Sequence, residues 1–389
     1  MHLTTFHSVV LHRKDKIIYA HLRQPHLVLS TCRVAGGLRR DLTYVLNHQS
    51  CEPACHHRSL AMRDPKAYHE MICNRAGLPA ERCAAMGTAA NMHNAALVRH
   101  RFRDLEVLAV VTGGVETNAG RAGDPASVME TPDGFAKVEP ADSLPGPGTI
   151  NIMLFINHPL TEGALTRCIM TATEAKSATL QELAVNSRYS DQPATGTGTD
   201  QIIVAAPDSD GFRLTSAGKH SKLGELIGTS VKAAIKETLA RQNRLTPLGQ
   251  CSVKIHLERF GCSGKSLLET IASFLDQDQA RLLAANFRGL DRDPVTVAAV
   301  AAMVHLRDKL SWGILPPSCR QEIMGAAAAQ VACSVGGRWQ NMARYRKELG
   351  ELAGRTDNAS FLSLCCQALA LGFGDKWPAD GQTETGTQT

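Results

Sequence analysis

Residues 194–206 read Ala-Thr-Gly-Thr-Gly-Thr-Asp-Gln-Ile-Ile-Val-Ala-Ala. The second half is a continuous apolar run bounded by turn residues. It lacks the polar–apolar alternation of a half-exposed strand, as a strand covered on both faces should. The first half is a loop rich in polar function. Gly196 and Gly198 free the backbone to approach a ligand, Thr195, Thr197 and Thr199 bring hydroxyls, and Asp200 brings an acceptor. A tight turn whose hydroxyls bond their own backbone is the plain alternative.

Three other runs have the same character: Leu27-Val28-Leu29, Leu105 to Val111 and Ile150 to Ile156. The segments between them read as helical. Leu223, Leu226, Ile227, Val231, Ala234, Ile235 and Leu239 recur at steps of three and four, with Lys and Glu opposite. Strands alternating with helices predict an α/β fold, a layered mixed sheet with flanking helices. Past Ala240 the strand pattern stops, and Pro294–Leu310, Ala326–Cys333 and Phe361–Leu371 are Ala- and Leu-rich. The expected organisation is an α/β domain over 1–244, a C-terminal α-helical domain over 245–377, and a flexible tail over 378–389. Pro140–Pro147 reads as a lid or a connector.

Composition excludes several function classes. The chain has 389 residues, 43% of them apolar, and no stretch approaches the ~20 apolar residues of a membrane span, so no membrane insertion is expected. Twelve scattered cysteines without a secretory leader suit reduced thiols and a cytoplasmic setting. Cys51-Glu52-Pro53-Ala54-Cys55-His56-His57 has soft ligands, but its spacing fits no standard zinc knuckle and it reads as a surface loop. Residues 1–103 hold 15 Lys/Arg against 6 Asp/Glu, a basic third that lacks the aromatic interleaving of a nucleic-acid platform. No nucleic-acid partner is expected. Gly261-Cys262-Ser263-Gly264-Lys265-Ser266 has Arg259 where a phosphate loop needs glycine, and reads as a helix start capped by Ser263.

The Thr/Gly loop belongs to an ordered series. It is preceded by Val110-Val111-Thr112-Gly113-Gly114-Val115-Glu116-Thr117-Asn118-Ala119-Gly120, by Gly148-Thr149-Ile150-Asn151, and by Thr171-Ala172-Thr173-Glu174-Ala175-Lys176-Ser177. Ala217-Gly218-Lys219-His220-Ser221-Lys222-Leu223-Gly224-Glu225 follows it. Nearer the N-terminus stand Leu29-Ser30-Thr31, Gly36-Gly37, Asn47 and Met86-Gly87-Thr88-Ala89-Ala90. In this order the set resembles the adenosylcobinamide amidohydrolase family of cobamide salvage, from about Leu27 to Ala240. The resemblance implies hydrolysis of the amide joining aminopropanol to the corrin ring, giving adenosylcobyric acid and 1-aminopropan-2-ol. It also implies a corrinoid small-molecule substrate carrying its own cobalt; the motifs spell no metal-hydrolase signature, so no catalytic metal and no added cofactor are expected.

Amide hydrolysis needs an activated nucleophile, donors for the oxyanion and an acid for the leaving amine. His220 is the first choice as base or acid, because an imidazole of pKa about 6.5 serves both roles near neutrality. Asp200 or Glu174 would orient it or activate water. Thr195, Thr197 and Thr199 would donate to substrate, a threonine nucleophile being the lesser option. Asn118 would donate to the oxyanion, and Lys176 and Glu225 complete the substrate-binding set. Glu225 lies roughly 140° around a helix from His220, so the two need not share a pocket. Two readings from other classes stand beside this one: a non-catalytic corrinoid-binding sensor or delivery module, and a phosphoryl-transfer enzyme. The C-terminal helices read as an independent domain, the competing view being that they cover the substrate cleft or build a homo-oligomer interface.

Overall fold

The computed structural model describes residues 1–50, 60–61, 63–132, 134–138, 146 and 148–377. The Cys51–His57 tract and all of Pro140–Pro147 except Gly146 lie outside the described residues. The chain divides into two compact units, Met1–Leu245 and one that begins at Thr246.

The first unit is built on two sheets. One has five strands in the order β1 (His2–Phe6), β2 (Val9–Lys14), β3 (Ile17–Leu22), β6 (Tyr44–Gln49), β7 (Cys83–Thr88). The other has six: β5 (Gly37–Arg39), β4 (His26–Ser30), β15 (Gln201–Pro207), β13 (Thr149–Ile156), β9 (Leu105–Gly114), β8 (Ala96–Phe102). The four runs read as strands are thus the four adjacent central strands of one sheet. β13 and β15 pair in parallel and their neighbours antiparallel, so the sheet is mixed.

Why the runs are continuous is visible in the side chains. Met153, Phe155, Ile203 and Ala205 point between the sheets, where they meet Leu11, Ile18, Val45 and Met86. Ile152, Leu154 and Val204 point the other way, under Leu165, Ala172, Ile227 and Ile235 of helices α2 (Glu162–Glu182) and α3 (Lys222–Asn243). On the far side of the five-stranded sheet, α1 (Pro65–Ala76) sets Ile72, Cys73 and Ala76 against Ile17, Leu46 and Cys83. The result is four layers, helix, sheet, sheet, helix. Caps start the long helices: Thr161 Oγ1 accepts from Ala164 N at 3.2 Å and Ser221 Oγ from Gly224 N at 3.2 Å.

One expectation needs correction. The segments between the four runs are not all helical, since β5 to β8 lie there and β1 to β3 precede them. Their outer faces carry imidazoles and phenols in place of a clean polar alternation. His12 stacks on Tyr19 at 5.2 Å and His21 on Tyr44 at 4.8 Å between ring centroids, cross-strand pairs that stabilise a sheet while hiding its period.

The second unit is helical over its described residues. α4 (Pro247–Gln250), α5 (Val253–Leu257), α6 (Gly264–Ala272), α7 (Gln277–Arg292), α8 (Pro294–Ser311), α9 (Arg320–Gly336), α10 (Met342–Ala353) and α11 (Asn358–Lys376) enclose their own core around Leu257, Met303, Ala328, Tyr345 and Leu369. Ser263 begins α6 in a capping box, accepting from Ser266 N at 3.1 Å while Ser266 Oγ accepts from Ser263 N at 2.8 Å. The glycine-lysine-serine tract is therefore a helix start. Among the described residues, no helix is long and apolar enough to cross a membrane.

Candidate active site

At the end of the sandwich where β13 and β15 begin, the Thr/Gly loop folds around Asp200. The carboxylate accepts from Ile150 N at 2.8 Å, Thr197 N at 2.9 Å and Thr197 Oγ1 at 2.6 Å, and is paired with the Lys176 ammonium. Both charged side chains are about nine-tenths buried. Four donors on one carboxylate occupy its lone-pair directions, so Asp200 fixes the loop's shape. Gly196 is required above this pair. A Cβ there would come within 2.6 Å of Asp200 Oδ2 and 2.9 Å of Lys176 Nζ.

The loop is tied to the Asn118 segment by a short antiparallel ribbon, with Ala119 opposite Thr197 and Gly120 opposite Gly196. Thr195 Oγ1 accepts from Ala122 N at 2.8 Å, and Thr199 Oγ1 donates to Gly148 O at 2.8 Å. Asn118 is buried; its Nδ2 donates to Gly148 O at 2.9 Å and its Oδ1 accepts from Tyr189 Oη at 2.6 Å. The three threonine hydroxyls and the Asn118 amide thus build the loop, as the turn reading would have it. Asp200, Lys176, Thr195, Thr197, Thr199 and Asn118 stand together.

Beside them the apolar layer between the sheets ends in a row of polar side chains. Thr112, Asn151 and Gln201 are in register across β9, β13 and β15 and lie two residues before or after core positions Val110, Met153 and Ile203, so they face the opposing sheet. Asn47 answers from β6. Asn47 Nδ2 donates to Thr112 Oγ1 at 2.7 Å, and Asn151 Nδ2 donates to Asn47 Oδ1 and to Gly87 O, each at 2.9 Å. Gly87 N donates to Gln201 Oε1 at 3.3 Å. On the edge strand's side, Thr31 Oγ1 accepts from Ile202 N at 3.0 Å. Sequence reasoning took Asn47, Thr112 and Asn151 as parts of motifs and did not name them as a site. The signal was a polar residue interrupting each apolar run at its loop end.

His220, Glu174 and Glu225 are elsewhere. Helix α3 starts beside the tip of β8, where Lys222 Nζ lies 4.5 Å from the Phe102 ring centroid, and ends where Asn243 Oδ1 accepts from Val115 N at 3.2 Å. Its first turn is therefore at the opposite end of the sheet from Asp200, since Gly113 pairs with Ile150 beside the loop. His220 is exposed in the turn before α3, Lys219 pairs with Glu174 at 2.6 Å, and Lys222 with Glu225 at 2.6 Å, all on the surface. Glu174 and Lys176 point apart because two helical steps turn about 200°.

Two open recesses lie off this site. A groove of about 640 Å³ is lined by residues including Val34, Arg39, Lys66, His69 and Glu70, and a recess of about 190 Å³ by others including His7, Gln24, His26 and Asn157. Neither is lined by the Thr/Gly loop. The concentration of oriented polar groups makes the polar end the candidate site.

Comparison with known proteins identifies the family of the first unit. The family model for adenosylcobinamide amidohydrolase matches residues 2–247, the whole of the two-sheet unit. An uncharacterized protein of Methanocaldococcus jannaschii is 35% identical over 241 residues, 60% of this chain and 89% of that protein. A Halobacterium salinarum protein bearing the name adenosylcobinamide amidohydrolase is 28% identical over 124 residues, 32% of this chain and 49% of its own length. With the match spanning every strand and loop that builds the polar end, the chain belongs to the adenosylcobinamide amidohydrolase family.

Proposed function

We propose that the protein hydrolyses the amide linking aminopropanol to the corrin ring of adenosylcobinamide, releasing adenosylcobyric acid and 1-aminopropan-2-ol. The supporting observation is convergence. Motifs spread from Thr31 to Gln201 in the sequence meet at one end of the first unit and interlock there. The corrinoid is the partner, it carries the only cobalt the reaction involves, and no further cofactor takes part.

On this reading the Thr/Gly loop and the polar row receive the substrate amide. The Lys176–Asp200 ion pair beneath Gly196 holds the loop rigid behind the substrate amide. Asp200 ties the loop to β13 through Ile150 N and Thr197. Proton transfer by His220 or Glu174 would require an approach from the helical face.

Purified protein incubated with adenosylcobinamide and no ATP should yield adenosylcobyric acid by mass spectrometry. Unchanged corrinoid, with binding demonstrated by its absorbance shift, would replace this reading with that of a non-catalytic corrinoid-binding module.

A further inference from the structure

We infer that Gln201 recognises the carbonyl oxygen of the substrate amide, with Asn151 and Asn47 as its positioning residues; this rests on the amidohydrolase reading above. A carboxamide has a donor end and an acceptor end of almost the same shape, so a site that discriminates must settle which end is presented. Here the network settles it. Asn151 Nδ2 lies between two acceptors, Asn47 Oδ1 and Gly87 O, and only the amino end of its amide can satisfy both. In a strand the N–H and C=O of one residue point to the same side, so Gly87, on the edge strand β7, turns its N–H to Gln201 Oε1 as it turns its carbonyl to Asn151.

Gln201 therefore turns its oxygen inward and its Nε2 away from the peptide. It is the half-buried member of a row whose other members, Thr112 and Asn151, are sealed at 1% and 0% exposure. Among the described residues, Nε2 has no hydrogen-bond partner and is not one of the polar atoms shut away from solvent without one. A donor held by its own far end, at the open side of an oriented network and next to Asp200, is suited to an amide carbonyl. It would accept a carboxylate oxygen as well and disfavour a second donor.

The test is Gln201→Glu, which is isosteric, keeps an oxygen for Gly87 N–H and replaces the donor with an acceptor. The wild type and variant would be compared for melting temperature, for kcat and KM separately with adenosylcobinamide, and for Kd by corrinoid absorbance. The expected result is a melting temperature within about 2 °C and kcat/KM lower by ~10²-fold, the effect of removing one donor from a developing oxyanion. If wild type turns over and the variant keeps kcat/KM within about threefold, the inference about Gln201 is overturned and the amidohydrolase reading stands. If wild type binds but does not turn over, that reading fails. Gln201 is then judged by Kd alone, where a tenfold weakening supports recognition and no change overturns it. Should Gln201→Glu fail to fold, Gln201→Met, which removes the donor without adding charge, is scored by the same criteria.

Discussion

Lys176 and Asp200 form a buried ion pair whose removal on one side strands a charge. Lys176→Met should cost about 3–5 kcal/mol in denaturant unfolding, because the carboxylate keeps its burial and loses its counter-charge. A loss below about 1 kcal/mol would mean that the pair is solvated. At the other end of the sheet, His26 is 1% exposed, and desolvation holds its pKa below the ordinary 6.5, against an opposing hydrogen bond to the Gln24 carbonyl and the nearby Asp208. A depressed imidazole stays neutral in the fold while the unfolded chain takes up a proton, so this residue's contribution is full above about pH 6.5 and is lost as pH falls toward the folded pKa. Melting temperature should decline over that window in wild type and decline less in His26→Gln; identical profiles would discount burial of His26. The site's residues were partly legible. Thr/Gly/Asp composition identified the loop and its buried partner Lys176 was named, but which imidazole or carboxylate faces which pocket depends on where α3 begins, and that is set by packing.

At the scale of elements, α3 is held to the sheet by an unusually close start. A Cβ on Gly224 would lie 2.0 Å from Gly218 O and 2.7 Å from Ala217 O, so only glycine lets the 217–218 turn cross the first turn of the helix. Gly224→Ala should lower the melting temperature by more than about 5 °C, the signature of overpacking against backbone. An unchanged melt would show that the turn moves freely. The same scale explains what the periodicity revealed. β13 and β15 are covered by sheet on one side and helix on the other, so beyond Asn151 and Gln201 both faces are apolar and the runs are conspicuous. β2 and β3 present His12, His21 and Tyr19 outward, and their short apolar content does not distinguish strand from helix.

For the whole molecule, the two compact units carry separate cores, one around the two sheets and one around Met303 and Tyr345. A chain ending at Leu245 should fold and keep amidohydrolase activity, as every residue of the proposed site precedes that point. A soluble but inactive truncation would give the helical unit a part in the site. The central claim is that the chemistry sits at the loop end of the sheets and not at the start of α3. Measuring kcat/KM for Asp200→Ala and His220→Ala side by side on adenosylcobinamide tests it most directly. Loss of at least ~10²-fold in Asp200→Ala with a distinctly smaller loss in His220→Ala is the predicted result. The reverse order would contradict it and move proton transfer to the helical face.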